Sequence, residues 1–178
     1  MRRLAHSRYT VLLIAAFAVS SAQSATEPLN SIEVGRNYLD VLYAFDFPEL
    51  EKLLHADAVF EDPTSVVAFP GVTWRFVGRG AVLEVFRQSG EGIVDADFRV
   101  LSEFSTGEFV VFYAEYSTVF QGEALGMTEQ VFSVKIPAVT ILRIQNGLVI
   151  HHTDHVDYDL MLEQIAKQSK EQAAAEPR

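Results

Sequence analysis

Two short stretches of this chain gather ionisable side chains in ways that suit proton transfer. The first is Phe60-Glu61-Asp62-Pro63. The β-prone run 58–61 must end here, because the residue before a proline avoids helix. Asp62 therefore closes a short strand beside Phe60, where a carboxylate can project into an apolar interior and act as a general base once desolvated. A turn-capping carboxylate is the plainer alternative. The second stretch holds His151, His152, Thr153, Asp154 and His155, with Asp157 and Tyr158 behind them. On a regular strand Ile150, His152 and Asp154 share one face, and His151, Thr153 and His155 the other. Three histidines beside two aspartates also suit zinc by residue type. Ligands on alternating faces of one strand cannot all reach one ion, so no metal is expected.

Aromatic residues supply a possible wall for such groups. Phe60, Trp74, Phe112, Tyr113, Tyr116 and Phe120 suit a pocket for a flat hydrophobic ligand, although side chains of this kind serve equally as core. Lys135, inside the apolar run VFSVKIPAV, is expected to point outward or to snorkel at a strand edge.

These residues need a frame. From Ser31 the positions Ile32, Tyr38, Val41, Leu42 and Phe45 recur at helical spacing, with Asn30 and Glu33 placed to cap the start. Asp46-Phe47-Pro48-Glu49 ends that helix and begins a second, over 49–54. A brief extended piece at 74–77 leads through Gly78-Arg79-Gly80 into a third helix, 81–88. Four β-rich segments follow, at 93–104, 109–120, 128–144 and 148–157, separated by turn-prone residues. Asn146-Gly147 between apolar runs is the strongest hairpin signal in the chain. Pro137 demands a bulge or an edge. A last amphipathic helix spans 159–167, and residues 169–178 are expected to form a flexible tail. The order predicts an α+β domain over 25–168: a cone-shaped, curved antiparallel sheet with helices packed at one end, enclosing a pocket.

Composition narrows the function. The chain has 178 residues and no cysteine, which excludes disulfides, thiolate metal sites and thiol nucleophiles. Residues 1–24 run from Arg2, Arg3 and Arg8 through VLLIAAFAV to small residues, the order of a secretory signal peptide. The apolar run is too short to span a bilayer. Removing three arginines and no acid moves the formal charge from −10 to −13. A strongly acidic domain with no basic stripe repels phosphate backbones and anionic membrane surfaces. The expected setting is secreted or periplasmic, with neither nucleic acid nor membrane as partner.

The stretch NYLDVLYAFDFPELEKLLHADAVFEDP, the later GRGAVLEVF and the ending GLVIHHTDHVDYDLMLEQI resemble the nuclear transport factor 2-like superfamily. That group includes ketosteroid isomerases, SnoaL-like polyketide cyclases and limonene-epoxide hydrolases. The resemblance implies a proton-shuttling Asp62, a tyrosine hydrogen-bond donor at Tyr38 on the first helix, and an acid or base at Asp154. His152 would tune Asp154 or carry its proton. The isomerases' second oxyanion donor falls on Thr140, which does not reproduce a neutral carboxylic acid. The hydrolases' Arg-x-Asp pair has no counterpart near Glu115. The implied activity is cofactor-free acid–base chemistry on a small apolar molecule, with a ligand carrier or a dimeric interaction module as the alternative. A homodimer is implied as well.

Overall fold

The computed structural model describes residues 30–126 and 130–175. The signal-peptide reading falls on residues 1–24 and lies outside them. Helix α1 (Ser31–Tyr43) starts where the Asn30 side chain accepts a hydrogen bond from the Ile32 amide. It buries Val34, Gly35, Tyr38, Leu39 and Leu42 on one face. Asp46 caps α2 (Phe47–Leu53) by accepting from the Glu49 amide, with Pro48 in the first turn where its missing N–H costs nothing. Strand β1 (Leu54–Asp62) then pairs antiparallel with β2 (Trp74–Val77). Helix α3 (Arg79–Gly90) follows.

The rest is a meander of β3 (Ile93–Thr106), β4 (Phe109–Gln121), β5 (Val131–Gln145) and β6 (Leu148–Val156), closed by α4 (Tyr158–Ala175). The six strands form one sheet in the order β2-β1-β6-β5-β4-β3. The β5–β6 turn places Asn146 at φ 52° and Gly147 at φ 77°, the paired left-handed geometry of a tight hairpin turn.

Three expectations need correction. The sheet is mixed: β1 lies parallel to β6, because the chain returns to β1 only after passing α3 and the whole meander. β6 is not regular. Ile144 pairs with Val149 and Arg143 with His151, so Ile150 is an extra residue. This bulge returns His152 and Asp154 to the inner face that Val149 also occupies. The tail, finally, is helical as far as Ala175. Gln164 grips the backbone of Lys135 through both N–H and C=O, Gln168 does the same at Ser133, and Gln172 donates to the Val131 carbonyl. Side chains four apart on α4 thus match strand residues two apart and cover the edge that β6 leaves open. Pro137 sits where that edge begins, its carbonyl accepting from the Asp157 amide.

The core divides in two. Helices α1 to α3 pack under Val110, Phe112, Leu142 and Ile144 at one end of the sheet. Met161 and Ile165 of α4 pack on Phe120, Phe132, Val134 and Ile136 at the other. Gly35 lets α1 lie on the Phe112 ring, since a Cβ there would stand 2.9 Å from two ring carbons. The curved interior between the two clusters stays unfilled. None of the described helices is long and apolar enough to cross a membrane.

Candidate active site

The unfilled interior is a cavity of about 480 Å³. Phe60 and Trp74 stand on its β1–β2 wall, Val85 and Phe86 on α3, and Tyr116, Thr118 and Ala138 on the sheet floor. The short side chains at Thr118 and Ala138 keep the floor from filling.

Asp154 is the carboxylate with an oxygen to spare. The bulge at Ile150 turns it inward, where it lines the cavity and remains 15% exposed. Its Oδ1 accepts the Thr140 hydroxyl at 2.5 Å and lies 2.9 Å from His152 Nε2. That ring N–H is not aligned on the oxygen well enough for a hydrogen bond. Oδ2 takes no hydrogen bond from the described residues. Thr140 is fully buried and acts here on the aspartate, not on the cavity.

Behind Asp154 lies a second layer that has no access to the cavity. His152 Nδ1 is 2.9 Å from the Tyr38 hydroxyl, and both side chains are wholly buried. Burial, reinforced by the charge of Asp154, holds the Tyr38 phenol well above its usual pKa. Tyr38 therefore stays protonated and can donate to Nδ1; in that arrangement the His152 ring proton sits on Nε2, towards Asp154. The Tyr38 hydroxyl meets a histidine rather than a ligand, in contrast to the direct donor role that the resemblance implies.

Asp62 is differently engaged. It is 3% exposed at the cavity wall, and its Oδ1 accepts the Thr64 amide (2.9 Å), the Thr64 hydroxyl (2.6 Å) and the Ser65 amide (3.0 Å). Oδ2 accepts the Tyr158 hydroxyl at 2.7 Å. Thr64 Oγ1 also accepts the Val156 amide. The carboxylate thus ties the turn after β1 to the end of β6 and the start of α4. Taking a substrate proton would break bonds that hold the turn, so geometry favours the turn cap over the general base.

Three further tyrosines face the cavity. Burial raises the pKa of Tyr43 well above its normal value, with the charge of Asp154 second. Burial likewise raises Tyr116, partly offset by Thr118. Tyr158 is pushed far up by burial and then by the neighbouring Asp62. All three remain neutral donors at ordinary pH. The Tyr43 hydroxyl takes no hydrogen bond from the described residues. Sequence reasoning passed over Tyr43; its place four residues beyond Leu39 and eight beyond Gly35, on one edge of the buried face of α1, was the available signal.

Of the aromatic residues expected to line a pocket, Phe60, Trp74, Tyr116 and Phe120 do so. Phe112 and Tyr113 do not. Phe112 points inward but lies fully buried beneath α1. Tyr113, one residue on, faces outward and is 46% exposed. Glu115 shares that outer face, paired with Arg99 and Lys135 at 2.7 Å each. The histidines part company: His151 lies 3.1 Å from Glu61 on the outer face, and His155 is exposed. Among the described residues no group of three His, Asp or Glu side chains could hold a metal ion.

The family model for SnoaL-like domains matches residues 36–152. This chain belongs to the SnoaL-like family. The matched span takes in Tyr38, Asp62, Thr140 and His152 and stops two residues before Asp154. Two similar solved structures are candidate SnoaL-like polyketide cyclases. That from Shewanella putrefaciens CN-32 is 26% identical, with 77% of this chain and 96% of that one covered and a TM-score of 0.70. That from Shewanella denitrificans OS-217 is 25% identical, with 77% and 97% covered and a TM-score of 0.70. An epoxide hydrolase from M. tuberculosis shares the fold at 14% identity, with 82% and 96% covered and a TM-score of 0.60. No curated protein matches the chain. The SnoaL-like domain thus has the nuclear transport factor 2-like, ketosteroid-isomerase-like fold.

Proposed function

We propose that this SnoaL-like domain is a cofactor-free acid–base enzyme of the cyclase or isomerase type, acting on a flat and largely apolar molecule. The observation that carries this reading is Asp154. It is one carboxylate on an aromatic cavity, with one oxygen fixed by Thr140 and set beside His152 while the other is free. Such a group can take a proton from carbon and return it elsewhere, with Tyr43 and Tyr116 as neutral donors for the oxyanion that forms. Thr140, His152 and Tyr38 position the carboxylate; only Asp154 meets the substrate. Removal of a proton from carbon beside a carbonyl is the step that cyclisation and isomerisation share, and the two Shewanella structures named as candidate cyclases support this class over hydrolysis.

The test is deuterium wash-in. Polycyclic aromatic β-dicarbonyl compounds are incubated with the protein in heavy water and followed by mass spectrometry. Incorporation at carbon that depends on Asp154 is the expected result. Binding without any incorporation, seen as a change in the emission of Trp74, the chain's one tryptophan, would make the protein a ligand carrier.

We also propose that the protein works outside the cytoplasm after losing residues 1–24, and that it is a homodimer. The exposed apolar side chains Leu101, Phe104, Phe109 and Tyr113 support the second point. N-terminal sequencing of the exported protein and light scattering of the mature form test the two statements.

A further inference from the structure

The charges around the cavity do not balance. Asp62 and Asp154 lie on its wall, with Glu91 at the rim, and among the described residues no Lys, Arg or His lines it. Four other acids on or beside the sheet have cationic partners: Glu115 has Arg99 and Lys135, Glu108 has Arg143, Glu61 has Arg75, and Glu103 has Arg36. Asp62 is satisfied entirely by neutral donors. Asp154 has the Thr140 hydroxyl and, behind it and off the cavity, His152 Nε2 at 2.9 Å. Buried carboxylates normally keep a positive partner. Here two share one cavity whose described lining holds no cationic side chain.

The wall that surrounds them is of one kind. Ten of the side chains that line the cavity are aromatic. Phe69 stacks on Trp74 at 5.2 Å and meets the Tyr158 ring edge-on at 6.2 Å, and the Tyr158 hydroxyl ends on Asp62. Trp74 and Asp62 are also paired across β1 and β2. Ring faces attract cations, most strongly when water is excluded.

We propose that the cavity takes a lipophilic cation, a hydrophobic amine in its ammonium form, whose charge the free oxygen of Asp154, the nearby Asp62 and the Trp74–Phe69–Tyr158 wall receive. This assignment rests on reading the cavity as the substrate site and adds the charge of the substrate. Carboxylate and phosphate ligands are excluded by the same carboxylates.

The experiment compares two probes of one shape, benzyltrimethylammonium and its uncharged carbon isostere neopentylbenzene. Trp74 emission follows binding to the mature full-length protein. The cation is expected to bind about tenfold or more tightly than the isostere. The preference should persist in about 1 M salt, where attraction to the acidic surface is screened within ~3 Å, and Asp154→Asn should shrink it. Equal binding of the isostere, a preference that vanishes in salt, or no Trp74 response to the cation overturns the proposal. Deuterium wash-in is read separately on the same protein. Wash-in without cation preference removes the charge assignment alone, whereas cation preference without wash-in removes the acid–base reading and keeps the charge assignment.

Discussion

Replacing Tyr38 by phenylalanine tests the layer behind Asp154 with a loss of one oxygen atom. Tyr38 and His152 are both wholly buried, and the hydroxyl and Nδ1 are 2.9 Å apart. The variant keeps the ring, so packing hardly changes, but Nδ1 loses its donor where no water reaches it. A buried polar atom left unpaired costs about 1–3 kcal/mol. In a domain of this length that lowers Tm by about 2–12 °C. His152→Leu strands the tyrosine hydroxyl in the same way. The double variant removes both partners, and such a pair of losses is often close to neutral. Urea denaturation of wild type, the two single variants and the double variant gives the coupling directly. The double variant should cost at least about 1 kcal/mol less than the sum of the singles. Additivity within about 0.5 kcal/mol would refute the reasoning, because it would mean that the two groups do not depend on each other.

Gly35→Ala should lower stability by about 1–2 kcal/mol, although alanine is the better helix former, because its Cβ would meet the buried Phe112 ring at 2.9 Å; a higher urea midpoint would show that the ring gives way. Tyr38, Tyr43, Tyr116 and Tyr158 have raised folded-state pKa values, so above pH ~10 the unfolded chain binds fewer protons than the folded one. Stability should then fall with rising pH, by up to about 1.4 kcal/mol per pH unit for each tyrosine, and tyrosinate absorbance from these residues should appear only as the protein unfolds. Gln164→Ala with Gln168→Ala strips the cover from the β5 edge. A loss of about 1–3 kcal/mol is expected, together with concentration-dependent self-association measurable by light scattering.

Much of this frame was legible because its signals are local. Asn146-Gly147 dictates its own turn, Pro48 and Asp46 mark the start of α2, and the alternation of β6 puts His152 beside Asp154. What escaped depends on distant partners. Nothing near Ile150 announces a bulge, and the parallel pairing of β1 with β6 joins residues some ninety positions apart. Tyr113 was misplaced because β4 carries apolar groups on both faces, Val110 and Phe112 inward and Phe109 and Tyr113 outward. Which face turns inward is decided by α1, through Gly35. The glutamines of α4 carried a signal in their four-residue spacing, but its meaning required a strand edge to meet them. The balance between Asp62 and Asp154 was likewise hidden: both sit near strand ends, and only the tertiary donors show that one is saturated and the other is not.

The central claim is that Asp154, not Asp62, carries the proton. A nitrobenzisoxazole, a flat neutral molecule that opens to a coloured phenolate on losing one C–H proton, measures this without knowledge of the natural substrate. Asp154→Asn should lower kcat/KM for ring opening about a hundredfold or more while leaving the fold intact. Asp62→Asn should keep most of the rate and lose stability instead. Full activity in Asp154→Asn, or a loss confined to a well-folded Asp62→Asn, would contradict the account.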